Sequence, residues 1–337
     1  MNVTAAYPLT DASQVAAPRR AASALAERLG FDESRAGKAA LIVSELATNL
    51  VKHANRGEIL LRPVNTSTGA ELPYLEMVAI DAGPGMLNVA LSRQDGHSTA
   101  GTLGHGLGAI ERQSDFFQIY THTSGTVMLA RLWGEPPPPT PRRSRYTIGA
   151  VAVSHPHEDI CGDDWCARIR DDRVAVIVAD GLGHGLAAHE AAREASAVFA
   201  RMHEESPAAV VEAVHAALRA TRGAAVAVLQ VDAGRGLARY CGLGNISGVV
   251  LQQGGGRHSM VSQNGTAGHT AARIHEFNYP VLPGSIIVLS SDGLGTHWDV
   301  ESYPGLRTRD ASIIAAVLYR DFSRRRDDVT VVVVKER

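Results

Sequence analysis

RVAVIVADGLGHGLA, from Arg173 to Ala187, is an apolar run that stops on an acid and then enters a glycine-rich turn. Val174, Val176, Ile177 and Val178 suit a buried strand, and Asp180 closes it where the chain opens to solvent. Other acids have similar settings: CGDDW at Cys161 to Trp165, LSSDGLG around Asp292, and RRDDVTVVVV at Asp327 and Asp328. A lone aspartate beside a strand is ordinarily a turn or cap residue. Four such junctions in one segment point instead to a convergent, oxygen-rich site, the chemistry that hard divalent cations prefer. The expected set is Asp163, Asp180, Asp292 and Asp327 with the backbone carbonyl of Gly181, and Asp164 and Asp328 stand as alternatives or supporting groups. Two ions ~3.5–4 Å apart in such a site can activate water while neutralising a phosphoryl group. His184 has two readings: it faces substrate, or it is a surface histidine at a glycine-framed helix start.

Nearly the same hexapeptide occurs earlier, as LGHGLG from Leu103 to Gly108, but in different company. Upstream lies SELATNLVKHA, in which Glu45, Asn49 and His53 recur at intervals of four and share one face of a helix expected over about Ser34 to His53. Leu41, Leu46 and Leu50 are expected on or near the apolar face. The polar face reads either as a wetted helix surface or as a pocket wall. In the second reading Asn49 offers a carbonyl oxygen to Mg²⁺, and Glu45 is near enough to accept a proton. DAGPGM, Asp81 to Met86, follows the strand-like LEMVAI. Alone it is an ordinary turn; in an ATP site Asp81 would accept a hydrogen bond from an exocyclic amine while Gly83 and Gly85 permit close approach of the ring. Gly101, Gly104, Gly106 and Gly108 then precede a helical run, where bare N–H groups at a helix N-terminus favour polyphosphate. A surface loop is the alternative. There is no GxxxxGK[ST], and nothing around the glycines supports a dinucleotide fingerprint.

Composition bounds the rest. The 337 residues suit two domains, and 33 Lys and Arg against 35 Asp and Glu leave no basic surplus to draw nucleic acid or an anionic membrane. No apolar run approaches the ~20 residues of a membrane span. With no secretory pattern at the N-terminus, the expected location is the cytoplasm. Cys161, Cys166 and Cys241 make no disulfide framework, and C-x4-C beside an acidic motif is irregular for zinc. GEPPPPTPRRSR, Gly134 to Arg145, reads as an extended basic linker. The expected division is therefore 1–134, a linker at 135–145, and 146–337. The first segment carries two helical runs followed by GEILLRPV, LEMVAID, FFQIYTH and GTVMLARLW, a sheet with one face buried under helices. The second is strand-rich at both ends around a helical middle, and layered.

Taken in order, SELATNLVKHA, DAGPGM and GTLGHGLG resemble the GHKL, or Bergerat, ATP-binding fold, and most of all its serine-kinase branch of anti-sigma and RsbT-like switch kinases. The resemblance spans roughly residues 10 to 133 and implies a two-layer α/β sandwich. It further implies that Asn49 holds Mg²⁺, Asp81 reads adenine, Gly83 and Gly85 shape its pocket, and Gly104, Gly106 and Gly108 close over the phosphates. Glu45 would be the base that directs a protein hydroxyl at the γ-phosphate. His53 is placed with the nucleotide-binding residues and not as a phosphoacceptor, because no histidine-kinase dimerisation helix is present. GDDW, ADGLGHG, GLGN, SSDGLG and DDVTVVVV, in order over about Tyr146 to Lys335, resemble PP2C-like phosphatases of the SpoIIE, RsbU and RsbX branch. That resemblance implies an α/β/β/α sandwich and Mn²⁺- or Mg²⁺-dependent hydrolysis of phosphoserine or phosphothreonine by a water activated between two ions. CGD stands where GGD is frequent, and no general acid is assigned. The whole would be a bifunctional bacterial regulator adding and removing phosphate on a STAS-domain anti-sigma antagonist or a stressosome-like partner, with a sigma factor or other downstream regulator as a further partner. The alternative is a nucleotide-dependent binding module, without efficient kinase turnover, joined to an active phosphatase. Related modules form homodimers, a state the resemblance allows here.

Overall fold

A computed structural model describes residues 4–54, 57–65, 72–86, 106–136, 144–170, 172–203, 205–271 and 273–337. Most of the linker expected at 135–145 lies outside the described residues, as do Gly101 and Gly104. In the first half the elements are β1 (Ala5–Leu9), α1 (Ala16–Arg28), α2 (Glu33–His53), β2 (Gly57–Val64), β3 (Tyr74–Asp81), α3 (Gly106–Gln113), β4 (Phe116–His122) and β5 (Gly125–Trp133). They form an antiparallel sheet in the order β1-β2-β3-β5-β4. Local chemistry sets the helix ends. Asp32 caps α2 by accepting the Arg35 N–H at 2.6 Å, and Gly30, at φ 82°, turns the chain between α1 and α2.

The second half contains β6 (Tyr146–Val153), β7 (Asp163–Arg170), β8 (Arg173–Gly181), α4 (Leu186–Arg201), α5 (Pro207–Ala217), β9 (Ala224–Asp232), β10 (Leu237–Leu243) and β11 (Ser247–Leu251). The short β12 (Arg257–Met260), β13 (Ser262–Gln263), β14 (Gly265–Thr266), β15 (Thr270–Ala271) and β16 (Phe277–Pro280) precede β17 (Ile286–Ser290), α6 (Ala311–Phe322) and β18 (Val329–Glu336). One sheet runs β13-β10-β9-β8-β7 with β16 beside β10, and the other runs β12-β11-β17-β18-β6. The architecture is a mixed α/β sandwich followed by an α/β/β/α sandwich.

Alternation along the strands distributes four cores. Leu75, Met77 and Ala79 of β3 face α1, α2 and α3, whereas Val78 and Ile80 face the other way. In β18, Val332 and Val334 fill the space between the two sheets of the second half, and Val329, Val331 and Val333 point outward. Both outward sets meet α6. Its residues from Ala311 to Arg320 are all buried, with the first-half sheet on one side and the β11-β17-β18-β6 sheet on the other. The first-half sheet is thus covered on both faces, where the sequence suggested one. A second departure concerns α2: Leu46 and Leu50 enter the core, but Leu41 is 57% exposed. The leading segment supplies edge strand β1, and Thr4 hooks it to the second half through its N–H to the Ala152 carbonyl at 2.8 Å.

The shared interior contains a buried ion network. Arg131 donates to Glu76 Oε2 at 2.9 Å, to the two Asp310 oxygens at 2.8 and 2.7 Å, and to Ser312 Oγ at 3.0 Å. Arg62 donates to Glu76 Oε1 at 2.6 Å, and Ser312 Oγ donates to Glu76 Oε2 at 2.8 Å. Asp310 also caps α6 through the Ser312 N–H. Burial opposes ionisation of Glu76 and Asp310, yet Arg62 and Arg131 beside Glu76, and Arg131 beside Asp310, hold both carboxyls below their ordinary values. Arg131→Ala would leave the buried Asp310 without its cation and Glu76 with Arg62 alone, and is expected to cost about 3–5 kcal/mol in denaturant unfolding. The unfolded chain takes up protons on these groups first. Their contribution is therefore complete above the ordinary carboxylate pKa of ~4 and is lost as pH falls below it towards the depressed folded values. Unfolding midpoints measured down the acid limb should fall more steeply in wild type than in Arg131→Ala.

Candidate active sites

The four acidic motifs of the second half are placed by neighbouring strand ends. Asp163 opens β7 and Asp180 nearly closes β8, directly opposite each other in the ladder, a pairing that like charges resist. Asp292 follows β17, and Asp327 and Asp328 precede β18, the neighbour of β17. Asp163 is 1% exposed; its Oδ2 accepts from Ser291 Oγ at 2.7 Å, and its buried Oδ1 has no partner. Ser291 Oγ in turn accepts the Thr330 N–H, tying β17 to β18 beneath the site. Asp328 Oδ1 accepts the His155 N–H at 2.9 Å, while Oδ2 is buried and unpartnered. Asp292 accepts from Asn245 Nδ2 at 2.8 Å, and Asp327 is exposed, accepting the Asp328 N–H. Asp164 points to the opposite face of β7 by strand alternation, where Ser196 and His189 of α4 lie.

Burial pushes the Asp180 carboxyl well up, and Asp163, Asp292, Asp327 and Asp328 push it further. Asp163 is raised too, by burial and by the Asp328 charge. These acids therefore feel one another. Among the described residues, however, no three His, Cys, Asp or Glu side chains form a ready-made metal-ligand group. Carboxylates that repel one another do not close into a ligand group unaided, and Mg²⁺ commonly uses one or two carboxylates and keeps waters. The orphaned oxygens of Asp163 and Asp328 fit a cation better than a settled core. Asp328, an alternative from sequence, lies deeper than Asp327. A Cβ on Gly181 would stand 2.0 Å from the Ala188 carbonyl, so this strand end meets α4 too closely for any side chain.

Sequence reasoning did not single out Asn245 or Ser291, although both stand inside quoted motifs, GLGN and SSDGLG. It also left His155 outside the acid site. His184 Nδ1 is 2.6 Å from Glu158 Oε1 and its ring stacks on His155, 5.3 Å between centroids, whose own N–H holds Asp328. Cys161, Cys166 and Cys241 are buried thiols not joined in a disulfide. Burial first, and then Asp163 and Asp328, drive the Cys161 thiol far above its ordinary value, which removes it as a nucleophile.

In the first half, Glu45 and Asn49 stand one turn apart on α2, both partly buried, and Asn49 Nδ2 is buried without a partner. His53 is the last residue of α2 and its side chain is exposed. Asp81 ends β3; its Oδ1 accepts the Gly83 N–H at 2.7 Å and the Thr126 N–H at 3.2 Å. A Cβ on Gly83 would come 3.0 Å from Asp81 Oδ1 and 3.6 Å from the His53 carbonyl, so the helix end and the DAGPGM turn share one wall. Gly85, at φ 78°, faces the His122 carbonyl at a distance that no Cβ could tolerate. Gly106 and Gly108 lie in the first turn of α3, and Gly104 is outside the described residues. Glu45, Asn49 and Asp81 are thereby placed on α2 and on the strand directly under its C-terminal end.

Residues 8–132 match the histidine kinase-like ATPase domain model, and residues 170–337 match the model of stage II sporulation protein E. The first half is 32% identical over 120 residues to serine/threonine-protein kinase RsbT of Bacillus subtilis (strain 168), covering 35% of this chain and 88% of that protein. The second is 23% identical over 175 residues to phosphoserine phosphatase RsbX of the same organism, covering 52% of this chain and 87% of RsbX. The crystal structure of RsbX in complex with magnesium shares the fold, with a TM-score of 0.53 at 19% identity over 66% of this chain and 100% of that one. Among the described residues no helix is long and apolar enough to cross a membrane.

The raised Asp180 carboxyl fixes the sign of a stability test. The folded protein holds this proton more tightly than the unfolded chain, so in the absence of metal its contribution to stability falls as pH rises above ~4. Asp180→Asn is therefore expected to raise the metal-free thermal midpoint at neutral pH by about 2–4 °C. It should also remove most of the further rise that millimolar Mn²⁺ gives wild type. A midpoint unmoved by Mn²⁺ in wild type would contradict the cation assignment.

Proposed function

The chain belongs to the GHKL ATPases through its first half and to the SpoIIE-type PP2C-like phosphatases through its second, and we propose that it is a bacterial signalling regulator that phosphorylates and dephosphorylates protein serine or threonine. The division proposed is a kinase-like unit over 1–134, a linker over 135–145 and a phosphatase unit over 146–337. The proposed partner is a STAS-domain anti-sigma antagonist or a stressosome-like protein, with the two sites acting on one partner or on two members of one pathway.

The phosphatase reading is supported by the position of Asp163, Asp180, Asp292, Asp327 and Asp328 at strand ends, by the electrostatic action of the other four on Asp180, and by the unpartnered buried oxygens of Asp163 and Asp328. Divalent cations bound there would supply an activated water and neutralise the phosphoryl oxygens. The chain's own contribution is orientation. Ser291 fixes Asp163, Asn245 fixes Asp292, and the His155 N–H fixes Asp328, and the second oxygens of Asp163 and Asp328 are left without a partner. The Gly181 carbonyl is a further oxygen at the same strand end. In the kinase unit Asn49 would hold Mg²⁺, and Asp81, held by two backbone N–H groups, would read the adenine amine beside Gly83 and Gly85. Glu45, one turn before Asn49, would take the proton from the partner's hydroxyl as it meets the γ-phosphate. The exposed His53 would sit at the rim of that pocket.

Two assays separate the activities. Hydrolysis of a phosphoserine STAS partner is expected only with Mn²⁺ or Mg²⁺ and is expected to fall at least about 100-fold in Asp180→Asn and Asp292→Asn; metal-independent turnover unchanged in both would refute the mechanism. Transfer of ³²P from labelled ATP to the same partner should vanish in Glu45→Ala while nucleotide binding persists. Wild-type protein that binds ATP without any transfer would instead identify the first half as a nucleotide-dependent binding module.

A further inference from the structure

We propose that the second half completes the nucleotide site of the first: Arg320 of α6 is a positioning residue for the Asp81 strand end, and through it nucleotide occupancy is linked to the segment that carries Asp327 and Asp328. The inference rests on the reading of Asp81 as the adenine-binding acid. Arg320 is nearly buried, its side chain 3% exposed, on the last turn of the helix shared by both halves. Its guanidinium is held by Asp321, with Nε on Oδ1 at 2.7 Å and Nη2 on Oδ2 at 2.8 Å. Asp321 Oδ2 also accepts from Tyr303 Oη at 2.8 Å. The remaining donors reach across to the first half, with Nη2 donating to Ser124 Oγ at 2.9 Å and Nη1 to the Asp81 carbonyl at 3.4 Å.

Those acceptors are the backbone from which the Asp81 carboxylate springs and the β4–β5 hairpin that holds it. Thr126, two residues beyond Ser124, donates its N–H to Asp81 Oδ1. Gly125, at φ 137°, lies so close that a Cβ there would fall 1.9 Å from the Asp81 carbonyl and 2.9 Å from Arg320 Nη1. Asp81, the hairpin tip and Arg320 therefore fit as one packed unit, and the forked cation fixes both first-half elements at once. Ordinary interface packing would be served by the apolar face of α6, which already fills the space between the sheets. A buried cation directed at one carbonyl and one hydroxyl is a more specific device.

The same run is tied down at its other end. Past Arg320 the chain forms a bridge between Ser323 and Leu294, with Gly295 N–H on the Phe322 carbonyl at 2.8 Å and Arg324 N–H on the Gly293 carbonyl at 2.9 Å. Gly293 follows Asp292, and a Cβ on it would lie 2.0 Å from the Asp328 carbonyl. Residues 320–328 thus run from the Asp81 strand end to the acid site with backbone attachments at each end. A ligand that orders Asp81 changes the environment of Arg320, and linkage makes any such effect reciprocal.

The test is ADP binding to the full chain by calorimetry at fixed free Mg²⁺. Arg320→Ala is expected to weaken ADP by about tenfold, with Arg320→Lys between it and wild type and Ser124→Ala weakened by a few fold. Val317→Ala, a cavity in the same helix away from Asp81, serves as the control for general loosening and should change affinity less than twofold. Hydrogen exchange supplies a second readout: ADP should slow exchange over 320–328 in wild type and not in Arg320→Ala. Asp81→Asn separates the two levels of the argument. If it abolishes ADP binding while Arg320→Ala and Ser124→Ala bind as wild type, the positioning role is overturned and the nucleotide reading stands. Should Asp81→Asn bind ADP normally, both fall together. Exchange over 320–328 that ignores ADP in wild type would overturn the linkage.

Discussion

Helix α6 has no solvent face, and the assembly of the two halves follows from that. A helix apolar all round must be enclosed, and ASIIAAVLYR is enclosed by two sheets from different halves of the chain. Were the halves apart, Leu60, Val78, Ile80, Val127 and Leu129 would stand bare on one and α6 on the other. The hydrophobic effect fixes only that these faces come together; it says little about register. Register comes from the polar atoms within the interface. Arg131 meets the N-terminal cap of α6 at Asp310 and Arg320 meets Asp81 near its C-terminal end, so the helix is pinned at both ends to the neighbouring sheet. Buried ion pairs seldom add much net stability, but an unmatched buried charge is costly, which penalises other docking arrangements.

Much of this could be read in the sequence because it is local. The α2 helix, the strands β2 to β5 and the valine-rich β18 declare themselves by periodicity, and Asp32, Ser206 and Asp310 occupy cap positions. β7 was hidden. In DDWCARIR the inward residues, Asp163 and Trp165 with Ala167, alternate with Asp164, Cys166 and Arg168, so neither face carries a plain apolar signature. Leu41 failed for a related reason: spacing assigns it to the neighbourhood of the apolar face, but which neighbours cover that turn of α2 is a tertiary fact. That the first-half sheet would be buried on both faces is encoded in β2 and β3, whose burial is almost continuous, yet the Glu58, Arg62 and Glu76 side chains disguise the second face as solvent-facing.

The acid site shows the same division between local and distant information. Strand-end acids were visible as candidates because a carboxylate at the close of an apolar run is chemically conspicuous. Their relative depth was not. Asp327 and Asp328 are adjacent, and it is the tertiary fold that buries Asp328 and leaves Asp327 exposed. The supporting Ser291 and Asn245 are small polar residues of common type, and nothing in their own neighbourhood distinguishes a clamp on an aspartate from a turn residue.

The two LGHGL segments resolve the same way. LGHGLA follows Asp180 and places Gly181 against α4 with no room for a Cβ, while LGHGLG runs into α3 beside α2. Glycine permits close approach but does not specify what approaches. In the second copy the neighbours are repelling carboxylates, whose mutual repulsion a cation relieves. In the first, Asn49 has an unmet buried amide and Asp81 is fixed by backbone N–H groups, an arrangement of directional hydrogen bonds. Carboxylate crowding separates the two settings: Asp180 has four acids acting on it, whereas Asp81 is held by backbone N–H groups. With α6 joining them, the element packed between the two sheets also brings Arg320, at the Asp81 strand end, to the backbone leading into the acid site.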